Sequence, residues 1–356
     1  MATTDFGVND ALSNKLWSKS LTVAERDSLE IAPLMGDDDN SIIQIKSELS
    51  KNPGDNVTFA LRAQLTGDGV TESETAEGNG EKLALYTDSV TLNELGHVVG
   101  VKSENTIDAQ RVPFNMREQA KDALGLWWGK RKSVSFFNQV CGFVAATNIK
   151  YTGLNATVAP SADRQLWAGT ASADEGLTSS DTFTLAHIDY AVEKATVGDN
   201  KIRPIMIDGQ EKYVMYLHPY QVTSLRTNAS NSQWTDIQKF AFSGVDPSKN
   251  PIFTGALGEY NGVILRKSQD VTKGVNSSSG AVIDTVRRAV LLGAQAAVVG
   301  FAQVKSGPSK YRWNEELLDH KRKLEVSAWS IWGLKKARFN SSDFAALVVS
   351  TYASAH

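Results

Sequence analysis

The sequence predicts an α+β protein, and three observations carry that prediction. A period-two apolar pattern runs through residues 56–65 and returns between 83 and 101, as in a long β-hairpin. A three-and-four apolar spacing then continues for about 30 residues from Asn115, as in a long helix. The second half of the chain alternates short apolar strands with helix signals and turns.

Residues 1–55 read as an extended arm with short helical pieces over 9–17 and 23–31, punctuated by Pro33, Gly36, Pro53 and Gly54. An arm without a core of its own is expected to lie across another surface. In the hairpin, Val57, Phe59, Leu61, Ala63 and Leu65 alternate with Thr58, Ala60, Arg62 and Gln64. The return passes through Leu83, Leu85, Val90 and Leu92, then Val99 and Val101. The switch from even to odd apolar positions predicts a β-bulge over 93–96. The tip, 66–82, carries Asp68, Glu72, Glu74, Glu77 and Glu81 against Lys82. A two-stranded hairpin is marginal alone, so its apolar face needs a surface of its own domain or of another copy.

Pro113 ends the hairpin segment. Asn115 is placed as an N-cap and Glu118 as its capping-box partner. Ala120, Ala123, Trp127, Val134, Phe137, Cys141 and Val144 form the expected apolar stripe, with Gly125 and Gly129 as sites of bending. Thirty residues would span about 45 Å. After a loop-rich stretch, 184–195 predicts a second helix with Leu185, Ile188, Ala191 and Val192 inward. A strand over 213–217 leads into a helix opened by Pro219. Asn261-Gly262 marks a turn before a strand over 263–266. Residues 289–302 form a buried apolar run, and strands over 324–332 and 344–352 close the chain.

The 356 residues are 41% hydrophobic and 22% charged, with a formal net charge of -3. That is enough for one large or two modest domains and offers no global pull toward nucleic acid. The single cysteine, Cys141, excludes an internal disulfide and fits a reducing compartment such as cytoplasm. The start of the chain lacks the basic-then-apolar order of a signal peptide. No apolar run approaches the roughly 20 residues of a membrane span.

Catalytic patterns are sparse. Glu316 and His320 would share a face if their segment were helical, with Glu315 and Asp319 nearby, giving half a metal site; a solvated acidic face is the simpler reading. Asp37, Asp38, Asp39 and Asn40 carry calcium-type oxygens without EF-hand spacing, so a polar turn is the default. Cys141 lies on the apolar stripe, where a free thiol is inert. Trp127 and Trp128 point to different helix faces, so at least one meets something outside the main apolar stripe; core packing against the C-terminal strands is the first reading and a subunit interface the second. Lys130, Arg131 and Lys132 form a basic cluster that reads either as a solvated helix face or as a dock for an acidic segment, the tip of another copy being the candidate. The inter-subunit candidates are therefore Glu72, Glu74, Glu77, Glu81, Lys130, Arg131 and Lys132.

The blocks Met1-Ala-Thr-Thr-Asp-Phe-Gly-Val-Asn-Asp, Gln110-Arg-Val-Pro-Phe-Asn-Met-Arg, Tyr213-Val-Met-Tyr-Leu-His-Pro-Tyr-Gln-Val, Gly255-Ala-Leu-Gly-Glu-Tyr-Asn-Gly, Leu292-Gly-Ala-Gln-Ala-Ala and Ser330-Ile-Trp-Gly-Leu-Lys-Lys-Ala-Arg-Phe-Asn follow one another in this chain. In that order the chain resembles the major capsid proteins of N4-like tailed phages, which have the Hong Kong 97-type capsid fold. The resemblance implies an N-terminal arm at 1–50, an extended hairpin loop at 51–105 that reaches over a neighbour, and a peripheral domain with a spine helix at 106–200. It further implies an axial α/β domain at 201–318 and strands at 319–356 returning to the peripheral domain. The implied partners are copies of the chain in pentamers and hexamers, a separate scaffolding protein, a portal and, in some shells, a decoration protein. The shell would enclose double-stranded DNA without sequence-specific binding, in a virion assembled in the host cytoplasm. No catalytic residue, cofactor, metal or membrane contact is implied. A cellular nanocompartment shell of the same fold, a metal-dependent α/β enzyme and a tail component are the rival readings.

Overall fold

The computed structural model describes residues 11–46, 54–62, 67–81, 85–102, 106–111, 113, 115–197, 201–207, 209–228, 256–302 and 310–355. The expected helix start at Asn9 and the strand positions Ala63, Leu65 and Leu83 lie outside these residues.

The chain begins with helix α1 (Ala11–Ser28), a 3-10 turn (Ala32–Leu34) and two short strands, β1 (Met35–Gly36) and β2 (Ile43–Lys46). The hairpin segment gives β3 (Asn56–Arg62), β4 (Leu85–Thr91) and β5 (Asn93–Lys102). Helices α2 (Ile107–Arg111), α3 (Met116–Val140) and α4 (Ile149–Thr152) precede β6 (Gln165–Trp167) and α5 (Leu185–Val197). Strands β7 (Ile205–Ile207) and β8 (Gln210–Leu217) lead into α6 (Pro219–Asn228). Then follow β9 (Ala256–Tyr260), β10 (Val263–Lys267), β11 (Lys273–Val275), β12 (Val282–Leu292) and β13 (Ala297–Ala302). The chain closes through β14 (Arg312–Leu318), β15 (Lys323–Lys336), β16 (Arg338–Phe339), β17 (Ser342–Asp343) and β18 (Ala346–Tyr352).

Two large sheets organise these elements. The first runs β1-β2-β13-β15-β14, with β5 along the other edge of β15. The second runs β6-β18-β12-β8-β10-β9, with β7 beside β8 and β11 beside β12. The apolar run 289–302 is therefore two strands in two sheets, not one element. Gly293 cannot carry a side chain, because a Cβ there would come within 2.4 Å of Ile202, and Gln295 turns the chain at φ 61°. Of the closing strands, β15 lies in the first sheet and β18 pairs with β12 in the second.

Alternation along β13 and β15 shows what covers the first sheet. Val299, Phe301, Trp332 and Leu334 face the main core, which also contains Leu124, Trp128, Phe136 and Phe137 from α3. Val298 and the half-buried Ala302 and Ile331 face the other way, into a smaller cluster with Val57, Phe59, Leu61, Val90 and Leu92. The helices thus cover one face of the sheet and the root of the hairpin covers the opposite face. The hairpin's apolar side lies on its own subunit.

The expected bulge at 93–96 is absent. β5 runs in unbroken register along β15 from Asn93 opposite Trp332 to Lys102 opposite Lys323. The parity switch falls at Leu92, the single residue between the end of β4 in one sheet and the start of β5 in another.

The two helical pieces expected in the arm are one helix, α1. Its middle is held because Leu21 is buried and the Ser18 hydroxyl, itself buried, donates to the Tyr311 carbonyl at 2.8 Å. Tertiary packing overrides the weak helix propensity of Ser and Thr there. The helix lies on α3 and β14 of its own chain. Gly125 and Gly129 admit it: a Cβ on either would fall within 2.8 Å of Ala24 or 2.3 Å of Ser28. These glycines are seats for α1 instead of bends.

Helix α3 has the expected N-cap, with the Asn115 side chain accepting from the backbone N–H groups of Arg117 and Glu118. It ends at Val140, giving 25 residues and about 37 Å. Gly142, at φ 63°, stops it against Val158 and Pro160. The buried stripe differs from the expected one. Ala120, Phe137 and Cys141 hold, Trp127 and Val134 are half-buried, and Ala123 and Val144 are exposed. Between Lys132 and Val140 every residue except Val134 is buried, because α1 and the sheets enclose the helix from several sides. In α5 the buried residues are Leu185, Ile188, Ala191 and Ala195, and the expected Val192 packs half-buried against the same core.

Candidate inter-subunit surface

The hairpin tip is solvent-exposed at every residue from 67 to 81. It carries Asp68, Glu72, Glu74, Glu77 and Glu81 with no basic residue among those fifteen. Local hydrogen bonds shape it: Glu81 accepts from the Gly67 backbone N–H at 2.9 Å and Glu74 from that of Thr71 at 3.1 Å. The tip is therefore anionic and exposed to solvent, on a hairpin whose root is anchored.

The anchoring is detailed. The Thr91 backbone N–H donates to Asn155 Oδ1 at 2.9 Å, and Asn155 Nδ2 donates back to the Thr91 carbonyl at 2.8 Å. Asn155 is itself held by Gln139 of α3, whose Nε2 donates to the Asn155 carbonyl at 2.7 Å. Lys335 on β15 forms an ion pair with Asp88 and donates to the Ser89 carbonyl at 3.1 Å.

The basic cluster splits three ways. Lys130 is exposed and pairs with Asp270 of the same chain. The Arg131 guanidinium lies 3.9 Å from the Tyr151 ring centroid and 4.9 Å from that of Trp127, which in turn stacks on His97 at 4.5 Å. His97, Trp127, Arg131 and Tyr151 thus form one ladder from β5 across α3 to α4, with exposed Leu154 and Ile149 in the same region of the chain. Lys132 is a correction to the sequence reading: it is 2% exposed and offers no surface to a partner. Its Nζ donates to Glu25 Oε1 and to Tyr311 Oη, both at 2.8 Å. Four rings surround the ammonium, those of Phe301, Tyr311, Trp128 and Trp332, at 4.8 to 5.9 Å. Burial pulls the lysine below its usual range while Glu25 opposes this, and burial pushes the Tyr311 phenol well up. The residue type predicted a solvated charge; the covering helix α1 made it an internal clasp instead.

The other candidates also resolve. Glu316 and His320 are not on a helix. Glu316 lies on strand β14 and is exposed, and His320 sits in the following turn at φ 51°. Glu315 points inward and binds Arg117 at 2.6 Å and the Trp313 indole at 2.7 Å. The turn around Asp37–Asn40 is a strut: Asp39 accepts from Gln44 and Gln295, and Asn40 bridges the backbone of Met206. Cys141 is fully buried, donates to the Arg288 carbonyl at 3.4 Å, and has its thiol pKa raised by burial. Trp128 is core, T-stacked on half-buried Trp127 at 5.1 Å.

Sequence reasoning missed Asn155, Gly300 and Gly333. A signal existed for the glycines: each interrupts an apolar strand, which marks close approach of another chain segment. For Asn155 there was none, because a lone Asn in a loop has many uses.

A family model described as phage capsid protein matches residues 5–355. The major capsid protein of Pseudomonas phage KPP25 is 26% identical over 370 residues, covering 96% of this chain and 94% of that protein. The capsid of Ralstonia phage GP4 superposes with a TM-score of 0.77 at 27% identity, covering 100% of this chain and 94% of the other. The capsid subunit of cyanophage Pam1 superposes at 0.67 with 21% identity, covering 92% of each, which speaks to fold alone. The architecture is the Hong Kong 97-type capsid fold that the sequence blocks implied; the narrower kinship with N4-like phages rests on those blocks only. With a family model matching residues 5–355 and a solved phage capsid that superposes over the whole of its length, this chain belongs to the phage capsid protein family.

Proposed function

We propose that the chain is the major capsid subunit of a tailed bacteriophage, assembling from pentamers and hexamers into the icosahedral head that encloses double-stranded DNA. The observation that carries this is the hairpin: its root is buried in the subunit while its fifteen-residue acidic tip is exposed throughout. A tip of that kind buries surface only against something outside its own fold, and assemblies with such arms reach the areas of obligate interfaces, about 2,000 Å² and more. The chemistry is burial and hydrogen bonding between copies, with no catalytic step.

In this reading Glu72, Glu74, Glu77 and Glu81 meet basic surface of a neighbouring copy, with Lys130 and Arg131 as candidates and Lys132 withdrawn by its burial. The division of the chain follows the arm at 1–50, the loop at 51–105, the spine-helix domain at 106–200 and the axial domain at 201–318. Residues 319–356 return through β15, with β18 joining the second sheet. A separate scaffolding protein, a portal and a decoration protein are the further partners, and assembly takes place in the host cytoplasm.

The test is electron microscopy and sedimentation of the purified protein beside a variant with residues 71–80 cut to a tight turn. Closed shells from the parent, and soluble folded subunits with reduced shell yield from the trimmed variant, are expected. Equal assembly by both would remove the inter-subunit role of the hairpin.

A further inference from the structure

We propose that Asn155, with the facing glycines Gly300 and Gly333, forms a rigid seat that fixes the angle at which the hairpin leaves the subunit, making these three positioning residues for shell assembly. The proposal rests on the reading above that the hairpin reaches a neighbouring copy.

The hairpin changes sheet at one residue, Leu92, between β4 and β5. A single-residue junction between two sheets would ordinarily be a hinge, since nothing in its own strands fixes the turn between them. Here the backbone on both sides is held. The Leu92 N–H donates to the Asp55 carbonyl at 2.7 Å, tying the two strands of the root together. Asn155 then satisfies both the N–H and the C=O of Thr91, as a neighbouring strand would, and Gln139 fixes Asn155 to the spine helix. Asn155 and Gln139 are buried, so water does not compete for these bonds.

The seat beneath is shaped by absence of side chains. Gly300 and Gly333 are direct cross-strand partners in β13 and β15. A Cβ on Gly333 would fall 2.4 Å from the Thr91 carbonyl oxygen and 2.9 Å from Val90. A Cβ on Gly300 would fall 2.9 Å from Leu92 and 3.3 Å from Val57. The two glycines open a saddle into which the junction descends, and larger residues would lift it. Both have ordinary strand backbone, so their requirement is space for the hairpin and not a special φ. Asp88–Lys335 guards the same junction from the side.

The experiment compares Asn155→Ala, Asn155→Asp and Gly333→Ala with the parent and the 71–80 trimmed variant. It uses full chains and three readouts: hydrogen exchange at the Thr91 amide, exchange across β12 and β18, and shell morphology. Asn155→Ala should speed Thr91 exchange about tenfold or more while β12 and β18 stay protected. Asn155→Asp keeps the acceptor for the Thr91 N–H and should fall between. Gly333→Ala should loosen the junction by displacing the Thr91 carbonyl, and with it the bond that Asn155 Nδ2 donates there, while leaving the Asn155 side chain in place. Both loosened variants should yield few or irregular shells. Normal shells from a variant whose Thr91 exchange has risen would overturn the proposal, as would unchanged exchange. Loss of protection across β12 and β18 in both Asn155→Ala and Gly333→Ala would also overturn it, by showing a folding role. If trimming itself leaves assembly intact, the failure lies with the hairpin reading instead.

Discussion

Replacing Lys132 with methionine should cost the subunit about 3–5 kcal/mol, and adding Glu25→Leu should restore most of it. The two charges are 2.8 Å apart, and their side chains are 3% and 7% exposed. Attraction at that range is about 4 kcal/mol or more at the effective dielectric of a protein. The desolvation of each ion costs several kcal/mol, so the intact pair contributes close to nothing net. Breaking one side removes the attraction and keeps the other ion's desolvation. The two single variants differ in what remains. In Lys132→Met the Glu25 carboxylate is stranded beside the Tyr311 phenol. In Glu25→Leu the ammonium keeps the Tyr311 hydroxyl and four rings, each such contact supplying about 0.5–2 kcal/mol. Glu25→Leu should therefore cost less, about 2–3 kcal/mol. Urea unfolding of soluble subunit, followed by tryptophan fluorescence, measures all four members of the cycle. Trp128 lies beside the pair and reports on it. Against a domain stability of roughly 5–15 kcal/mol, either single change should shift the midpoint visibly. A double variant whose loss equals the sum of the single losses would show that the two groups do not interact, and would refute the clasp.

Three further outcomes follow from the same structure. Phe137→Ala should cost about 3–5 kcal/mol and yield aggregated subunit, because the ring is fully buried and T-stacked on Phe136 and Tyr216 at 5.3 and 5.2 Å; a soluble, normally assembling variant would refute the spine packing. His218 titrates at about 4, held down by burial and then by the Arg287 guanidinium. The unfolded chain, with a pKa near 6.5, takes up the proton first, so this contribution is complete above pH 6.5 and is lost as pH falls through 4. Discounted for a half-exposed ring, it amounts to about 1–2 kcal/mol, and His218→Gln should flatten that part of the acid unfolding curve. Charge reversal at Glu74 and Glu77 should impair assembly more at low salt than at high salt, since exposed pairs are screened within about 10 Å at 0.1 M; a salt-independent defect in a turbidity assay would point to packing instead.

Much of this protein was legible in the order of its residues. The hairpin, the capped helix, the Asn261-Gly262 turn and the Pro219 helix are local patterns, set by side-chain period, capping and turn chemistry within a few neighbours. The acidity of the tip was equally plain, since it is a property of the residues themselves and they stay exposed. What the sequence could not settle was which of two surfaces an apolar or charged residue meets. The run 289–302 reads as one buried segment, yet Gly293 and Gln295 send its halves into different sheets. Lys132 reads as solvated until α1, more than 100 residues earlier, closes over it. Gly300 and Gly333 carried no reading of their own, because the Thr91 and Leu92 that descend onto them are distant in the chain. Glu316 and His320 read as a helix face because charged spacing alone does not distinguish a helix from an edge strand and turn. In each case local pattern determines the element, while burial and pairing are properties of distant segments brought together, and only the packed tertiary structure decides them.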